Sequence, residues 1–213
     1  MQQIPAIASQ TAAGSFLLDT SNYQFVTITC PALAAATSAP TISSTSTATT
    51  GGTLVHSTTY GYKITTVTPA GETTPSAEST RATGAGTDTN TVTVNFTAAG
   101  TGKQTRVYGR TSGGPWGLLA TLGPAVTSFV DDGSVTPGAA PPAGNTTAES
   151  ATVKLYVPDG QTAPLARDVN GNTMSVTTTA LSQTFFGGAT YQIDKSGTVT
   201  ATGIYADFGG RVC

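Results

Sequence analysis

The residues that could do chemistry in this sequence are few, and their spacing offers no catalytic set. The chain has one histidine, His56, and no partner pattern surrounds it, so a surface or turn position is favoured over a metal ligand or a general base. No G-x-S-x-G elbow for a nucleophilic serine is present, and no Cys/His cluster has metal-ligand spacing. The sequence therefore predicts no catalytic residue, no cofactor-binding residue and no metal ligand, and the protein is expected not to be an enzyme.

Two acidic stretches come nearest to forming a site. Asp131-Asp132-Gly133 offers two adjacent carboxylates, but neighbouring residues on a strand point to opposite faces, so a turn in which Asp bonds its own backbone is favoured. The stretch 168–172, DVNGN, begins like a calcium loop, which needs Gly at its sixth position and Glu at its twelfth. Those positions hold Thr173 and Thr179. A hairpin turn at Asn170-Gly171 is therefore favoured over a calcium site.

Aromatic residues are the remaining candidates for binding. Tyr62 fits a core position, and Tyr60 fits the corner position at which a tyrosine hydroxyl bonds the backbone. Trp116, set in SGGPWG, is the aromatic residue best placed for exposure, although packing in the core or against a hairpin is the favoured alternative for it. Trp116 and Tyr205 are accordingly the two candidates for contact with a glycan or a protein partner.

Composition indicates an all-β protein with few charges. Asp, Glu, Lys and Arg make up 9 % of the 213 residues, against roughly 25 % in ordinary globular proteins. The 44 threonines form about a fifth of the chain, and this β-branched residue favours strands. No stretch has the apolar spacing of an amphipathic helix. A surface solvated by hydroxyl groups suits a particle coat, a fibre or a secreted bacterial module.

Charge and hydropathy exclude several classes of partner. The net charge of −2 provides no basic stripe for nucleic acid, and no apolar run is long enough to cross a membrane. The first residues, MQQIPAIASQTAAGS, lack a basic residue before their weak apolar patch, so no secretory signal is expected. Cys30 and Cys213 are the only cysteines. Two unpaired thiols are favoured, and a bridge stays open as an alternative outside the cell.

Strand signals are regular between Leu54 and Pro142 and are separated from both ends by linker-like stretches. Alternation predicts strands around residues 60–66, 92–96, 106–108, 116–120 and 128–130. Residues 69–72, PAGE, predict a turn in which Gly71 supplies a positive φ. Residues 31–52 predict a linker with an edge strand near Pro40–Ile42, and the stretch 137–150 predicts a second boundary.

Residues 54–76 and 92–136 resemble a fibronectin type III domain whose parts occur in permuted order. That family ends with a Leu, a Tyr-x-Tyr/Phe strand and an AGE-x-x-PS turn, which here are Leu54, Tyr60, Tyr62 and residues 70–76. It begins with motifs that match VTVNF at 92–96, VYGR at 107–110, GGPWGLLAT at 113–121 and TSFVD at 127–131. One departure is Phe96, where the family has a buried Trp.

Permuted domains of this kind look like those inserted in virion proteins of tailed bacteriophages. A domain whose termini lie close together can be placed in a loop of another domain. The resemblance thus implies an all-β protein of two β-sandwiches, with a fibronectin type III or Ig-like domain at 38–145. A split host sandwich of jelly-roll or Ig-like kind, at 1–37 and 146–213, would anchor the protein to the capsid.

The resemblance also implies a function. It suggests a non-enzymatic virion structural protein, a capsid decoration or cement protein that stabilises the head by binding across capsomers. Its partners would be the major capsid protein or another virion protein, and further copies of itself, with a trimer favoured. Nucleic acid and membranes are not expected as partners. Its location would be the capsid surface, after assembly in the bacterial host cytoplasm. The alternative is a tail-associated or head-fibre adhesin module that binds host-surface glycans.

Overall fold

A computed structural model of the chain describes residues 3–7, 14–20, 22–29, 35–155, 175–177, 182–186, 190–195 and 204–211. The strands in these ranges are β1 Gln3–Ile7, β2 Gly14–Asp19, β3 Tyr23–Thr29, β4 Ile42–Ala48, β5 Thr59–Thr68, β6 Gly71–Glu72, β7 Ser79–Ala82 and β8 Thr91–Phe96. They continue with β9 Gln104–Thr111, β10 Trp116–Leu122, β11 Ser128–Asp131, β12 Ser150–Leu155, β13 Ser175–Thr177, β14 Ser182–Phe186, β15 Thr190–Lys195 and β16 Ile204–Arg211.

Every strand pairing in the described ranges is antiparallel. The prediction of an all-β protein is confirmed, and β-branched residues account for it: β8 reads TVTVNF and β5 reads TYGYKITTVT. Within the described residues no helix has the length and apolarity that spanning a bilayer requires.

The chain divides into two compact units. One, here called the split unit, combines Met1–Ala36 with Ala148–Cys213, and the other, here called the central unit, is Thr37–Thr147. The sequence boundaries predicted above, 38–145 and 1–37 with 146–213, lie within two residues of these. That each region is a separate sandwich of the named kind stays a prediction.

The central unit holds two sheets around one hydrophobic core. The smaller sheet has the order β11-β8-β4, and the larger has the order β10-β9-β5-β6, with β7 also paired to β5. Alternating residues of the strands point to the same face, so both sheets contribute to one core. Its buried members are Leu54, Tyr60, Tyr62, Ile64, Val92, Val94, Phe96, Val107 and Leu119. Burying each large side chain of this kind contributes about 1.5–3 kcal/mol.

A return segment, residues 132–147, follows β11 and touches both ends of the β10-β9-β5-β6 path. Gly138 donates to the Leu118 carbonyl of β10 at 2.9 Å, and Leu118 donates to the Ala139 carbonyl at 2.9 Å. Thr146 then donates to the Glu72 carbonyl of β6 at 2.9 Å. The main-chain bonds with Gly138 and Ala139 protect the exposed edge of β10 from pairing with other chains.

The split unit contains two four-stranded sheets, β1-β16-β3-β14 and β13-β12-β15-β2. Among the described residues, the strands that precede the central unit pair with strands that follow it: β1 with β16, β2 with β15, and β3 with both β14 and β16. The split unit therefore forms by joining its two chain segments.

Several local predictions can be compared with these elements. The edge strand expected near Pro40–Ile42 is found as β4, which begins at Ile42 and lies at one edge of its sheet. The positive φ expected at Gly71 is wrong, because Gly71 is absent from the glycines with positive φ. A Cβ at Gly71 would instead collide with the backbone of Thr146, so close approach of the return segment explains the glycine.

Other predictions fall on residues outside the described ranges. These are the hairpin at Asn170-Gly171, the calcium-like stretch 168–172, and the two cysteines, Cys30 and Cys213.

Candidate functional site

Asp131, Arg110 and Tyr62 form a buried polar cluster that joins the two sheets of the central unit. Arg110 donates from Nε to Asp131 Oδ2 and from Nη2 to Oδ1, each at 2.8 Å, in a bidentate pair. The Tyr62 hydroxyl donates to Oδ2 at 2.9 Å. The Asp131 side chain is 1 % exposed and that of Arg110 is 16 % exposed. Since Tyr62 lies on β5, Arg110 on β9 and Asp131 on β11, the cluster links one sheet to the other.

The protonation states of this cluster fit a structural role. Burial raises the pKa of Tyr62 far above its usual range, and the nearby charge of Asp131 adds to the rise. The hydrogen bonds to Asp131 raise the pKa of the Arg110 guanidinium. Both donors therefore keep their protons near neutral pH. General acid–base catalysis needs a group whose pKa lies near the working pH, and neither donor meets that condition.

Asp131 and Asp132 also confirm the predicted turn. Asp131 Oδ1 accepts from the main-chain N–H of Gly133 at 3.0 Å, and Asp132 Oδ1 accepts from the N–H of Ser134 at 2.9 Å. Hydrogen bonds from the hydroxyl and then the amide of Ser134 lower the pKa of Asp132. These are the local Asx bonds expected of such a turn. No group of three or more His, Cys, Asp or Glu in the described part of the chain could hold a metal ion.

Glu72 is the centre of a second polar cluster, on β5, β6 and β9. Its carboxylate accepts from Arg106 Nη1 and from the Tyr108 hydroxyl, each at 2.6 Å, and from Thr65 Oγ1 at 2.5 Å. Thr65 and Arg106 are direct partners in the β5–β9 register, so their side chains share a face of the sheet. The cluster fixes the short strand β6 against the middle of the larger sheet.

The pKa values here follow burial and the carboxylate. Burial raises the pKa of Tyr108 to about 12, and its hydrogen bond to Glu72 adds to the rise. Burial alone would lower the pKa of Arg106, but its hydrogen bond with Tyr108 and the charge of Glu72 outweigh that effect, so the pKa rises. Both groups keep their protons at neutral pH and hold Glu72 in place.

Trp116 lies at the start of β10 and is half-buried. The Lys63 ammonium lies 4.0 Å from the centroid of its ring, a cation–π contact. The indole Nε1 is buried and has no hydrogen-bond partner among the described residues. A sugar that stacked on the face covered by Lys63 would have to displace that side chain. Glycan contact at Trp116 stays a prediction.

Tyr205 and His56 complete the residues named from the sequence. Tyr205 belongs to the split unit, in β16, and is paired with Thr29 of β3 and Pro5 of β1. Its contact with a partner stays a prediction. His56 is confirmed as a surface residue: its side chain is 46 % exposed, and its Nδ1 lies 2.8 Å from Asp88 Oδ1. The His56 main-chain amide, and then its ring, lower the pKa of Asp88 through hydrogen bonds.

The two ends of the central unit are held together by a set of hydrogen bonds that we name the base clamp: Thr37, Asn145 and Thr147. Thr37 N–H donates to Thr147 Oγ1 at 2.7 Å, and Asn145 Nδ2 donates to the Thr37 carbonyl at 2.8 Å. Asn145 Oδ1 accepts from the N–H of Thr147 at 3.0 Å and from its hydroxyl at 2.7 Å. Both main-chain polar groups of Thr37 are thereby satisfied by side chains from the other end.

The charged residues of the Asp131 cluster carry a weak signal in the sequence. Arg110 ends the VYGR stretch and Asp131 ends the TSFVD stretch, and each is the only charged residue of its stretch. Lone charges at strand ends in such a chain are candidates for a mutual pair, because a buried charge requires a partner. No comparable pattern announces the base clamp, since threonine is common throughout the chain.

In comparisons with known proteins, no family model matches the chain, no curated protein matches its sequence significantly, and no solved structure matches it significantly.

Proposed function

We propose that the chain is a non-enzymatic structural protein of a tailed-bacteriophage virion. The split unit attaches to the capsid as a decoration or cement protein, and the central unit is a permuted fibronectin type III-like domain carried on it. Attachment works through the area buried across capsomers rather than through chemistry.

One hydrogen bond is the main support for the proposed similarity to fibronectin type III and Ig-like domains. The main-chain N–H of Val55 donates to the Tyr60 hydroxyl at 2.9 Å. A tyrosine whose hydroxyl bonds the backbone a few residues upstream is the corner found in sandwiches of this kind. Tyr60 stands near the start of β5, the Tyr-x-Tyr strand that resembles the late strand of the family. The two sheets around one core are consistent with the same architecture.

The base clamp supports the insertion. Domains inserted into others need termini that lie side by side, and Thr37 and Thr147 are in direct hydrogen-bond contact. Low charge supports attachment through buried area, since interface cores are depleted in charged residues. Four of the ten Asp, Glu, Lys and Arg residues of the central unit are paired with one another, as Glu72–Arg106 and Asp131–Arg110.

Cross-linking of purified virions of the phage that encodes the chain tests the proposal. Lysine-reactive cross-links to the major capsid protein should come mainly from Lys154 and Lys195 of the split unit. Lys63 and Lys103 of the central unit serve as the internal comparison. Absence of the chain from virions would contradict the proposal, and cross-links confined to tail proteins would favour the adhesin alternative.

A deletion tests the division of labour between the units. Replacing residues 40–142 by a short linker keeps Thr37, Asn145 and Thr147 and should leave binding to purified capsids near the wild-type level. The central unit alone should not bind. If the deleted protein keeps the strands of the split unit but no longer binds capsids, attachment requires the central unit and the proposed division is wrong.

A further inference from the structure

The split unit depends on the meeting of two chain segments that are far apart in sequence. Each of β1, β2 and β3 pairs with β14, β15 or β16 in the described residues. The 111 residues of the central unit lie between the two sets. The split unit therefore cannot form any of these pairings without closing the chain across the central unit.

Whether the central unit is folded determines the length of the loop whose ends must meet. When it is folded, the base clamp holds Thr37 within hydrogen-bond distance of Thr147. The effective length of the closing loop is then roughly three residues. When the central unit is unfolded, the loop contains all 111 residues. Because the probability that loop ends meet falls as the −3/2 power of loop length, the two cases differ on the order of 200-fold.

We propose that the folded central unit acts as an entropic staple for the split unit. By holding Thr37 and Thr147 together, it raises the equilibrium constant for folding of the split unit on the order of 200-fold over the value with an unfolded central unit. No contact between the units is needed for this effect. The inference does not depend on the virion role proposed above.

A core substitution in the full-length chain tests the staple. Ile64 is fully buried, and Ile64→Asp places an unpaired charge in the core, which unfolds the central unit. Thr59→Asp adds the same charge at an exposed position of the same strand and is the matched control. Trp116 is the single tryptophan, so its fluorescence reports whether the central unit is folded.

Hydrogen exchange in β3 and β15, followed by mass spectrometry, reports on the split unit. In Ile64→Asp these strands should exchange on the order of 200-fold faster than in Thr59→Asp. The proposal would be overturned if β3 and β15 exchanged at wild-type rates in a chain whose Trp116 fluorescence shows that the central unit is unfolded.

Two linker replacements separate loop length from any effect of a misfolded central unit. Replacing residues 38–146 by two glycines should keep β3 and β15 as protected as in the wild type. Replacing them by a Gly/Ser chain of equal length should give the same loss as Ile64→Asp. If the long Gly/Ser chain leaves protection at the wild-type level, the central unit does not staple the split unit and the proposal fails.

Discussion

The central unit and the split unit are both antiparallel β structures, but different features hold them together. In the central unit, a common hydrophobic core and the Asp131 cluster tie the two sheets together, and the Glu72 cluster fixes β6 within the larger sheet. The first three strands of the split unit pair with strands that lie beyond the central unit in sequence. Side-chain substitutions should therefore act mainly on the stability of the central unit, whereas changes in chain connectivity should act mainly on that of the split unit.

Among substitutions expected to leave the central unit folded, the largest effect is expected at Asp131. Asp131→Ala leaves the Arg110 guanidinium buried without its partner, which costs about 3–5 kcal/mol in the free energy of unfolding of the central unit. Denaturant unfolding followed by Trp116 fluorescence measures this. Asp132→Ala removes the adjacent, exposed carboxylate and should leave the midpoint near the wild-type value. Equal effects of the two substitutions would show that the buried pair does not join the sheets.

The second effect concerns Tyr108 and depends on pH. Removing its hydroxyl in Tyr108→Phe takes away a hydrogen bond to the charged Glu72, which costs about 1.5–3 kcal/mol near neutral pH. The pKa of Tyr108 is raised to about 12, above its unfolded value near 10. The contribution of Tyr108 is therefore fully present below about pH 10 and is lost as the pH rises through about 12.

Denaturant midpoints measured between pH 8 and pH 12 provide the test. The wild type should lose stability more steeply above pH 10 than Tyr108→Phe does, so that the two curves converge. Parallel curves over that range would mean that Tyr108 does not hold its proton more tightly in the folded state.

Gly71→Ala is expected to have the next largest effect, and it tests the close approach of the return segment to β6. The added Cβ collides with the backbone of Thr146, and overpacking of this kind costs about 1–3 kcal/mol. Gly123→Ala is the control, because a Cβ there meets no atom within 4 Å. Unfolding followed by Trp116 fluorescence should separate the two variants. Identical midpoints would show that the return segment yields without cost.

The smallest expected effect comes from the base clamp itself. Thr147→Val removes the hydroxyl that accepts from Thr37 N–H and keeps the shape of the side chain, at a cost of about 0.5–1.5 kcal/mol. The Thr37 amide should exchange hydrogen faster than in the wild type, as NMR can measure. Thr136→Val changes an exposed threonine of the return segment and should leave that amide unchanged. If the Thr37 amide exchanged at the wild-type rate in both variants, the Thr147 hydroxyl would not hold that amide and the base clamp would be wrong.

Sequence patterns predicted the strands well where alternation was strong and failed where contacts were distant. The alternation of Tyr60, Tyr62 and Ile64 predicted a buried face of β5, and these residues lie in the core. The sequence also predicted that the Tyr60 hydroxyl bonds the backbone, and its hydrogen bond from the Val55 N–H confirms that contact. These signals are local, since a strand and its turn are encoded within a few residues.

The polar clusters could not be predicted in the same way, because their members are far apart in the chain. Arg110 and Asp131 meet only when β9 and β11 are placed in facing sheets. Gly71 shows the same limit: its neighbours suggested a turn with positive φ, but its requirement comes from Thr146, which lies 75 residues later. A glycine that is needed for close approach has no local signal that separates it from a turn glycine.

The adjacency of Thr37 and Thr147 also has an evolutionary consequence. A recombination event could remove or exchange the coding sequence between these two positions. The two segments of the split unit would still be joined over a short distance, provided that the two ends of any replacement also lie side by side. We therefore expect the base clamp to coincide with a boundary at which whole units are exchanged in the gene. Related sequences compared at this boundary should differ by whole-unit gain, loss or replacement more often than by partial deletions within residues 37–147.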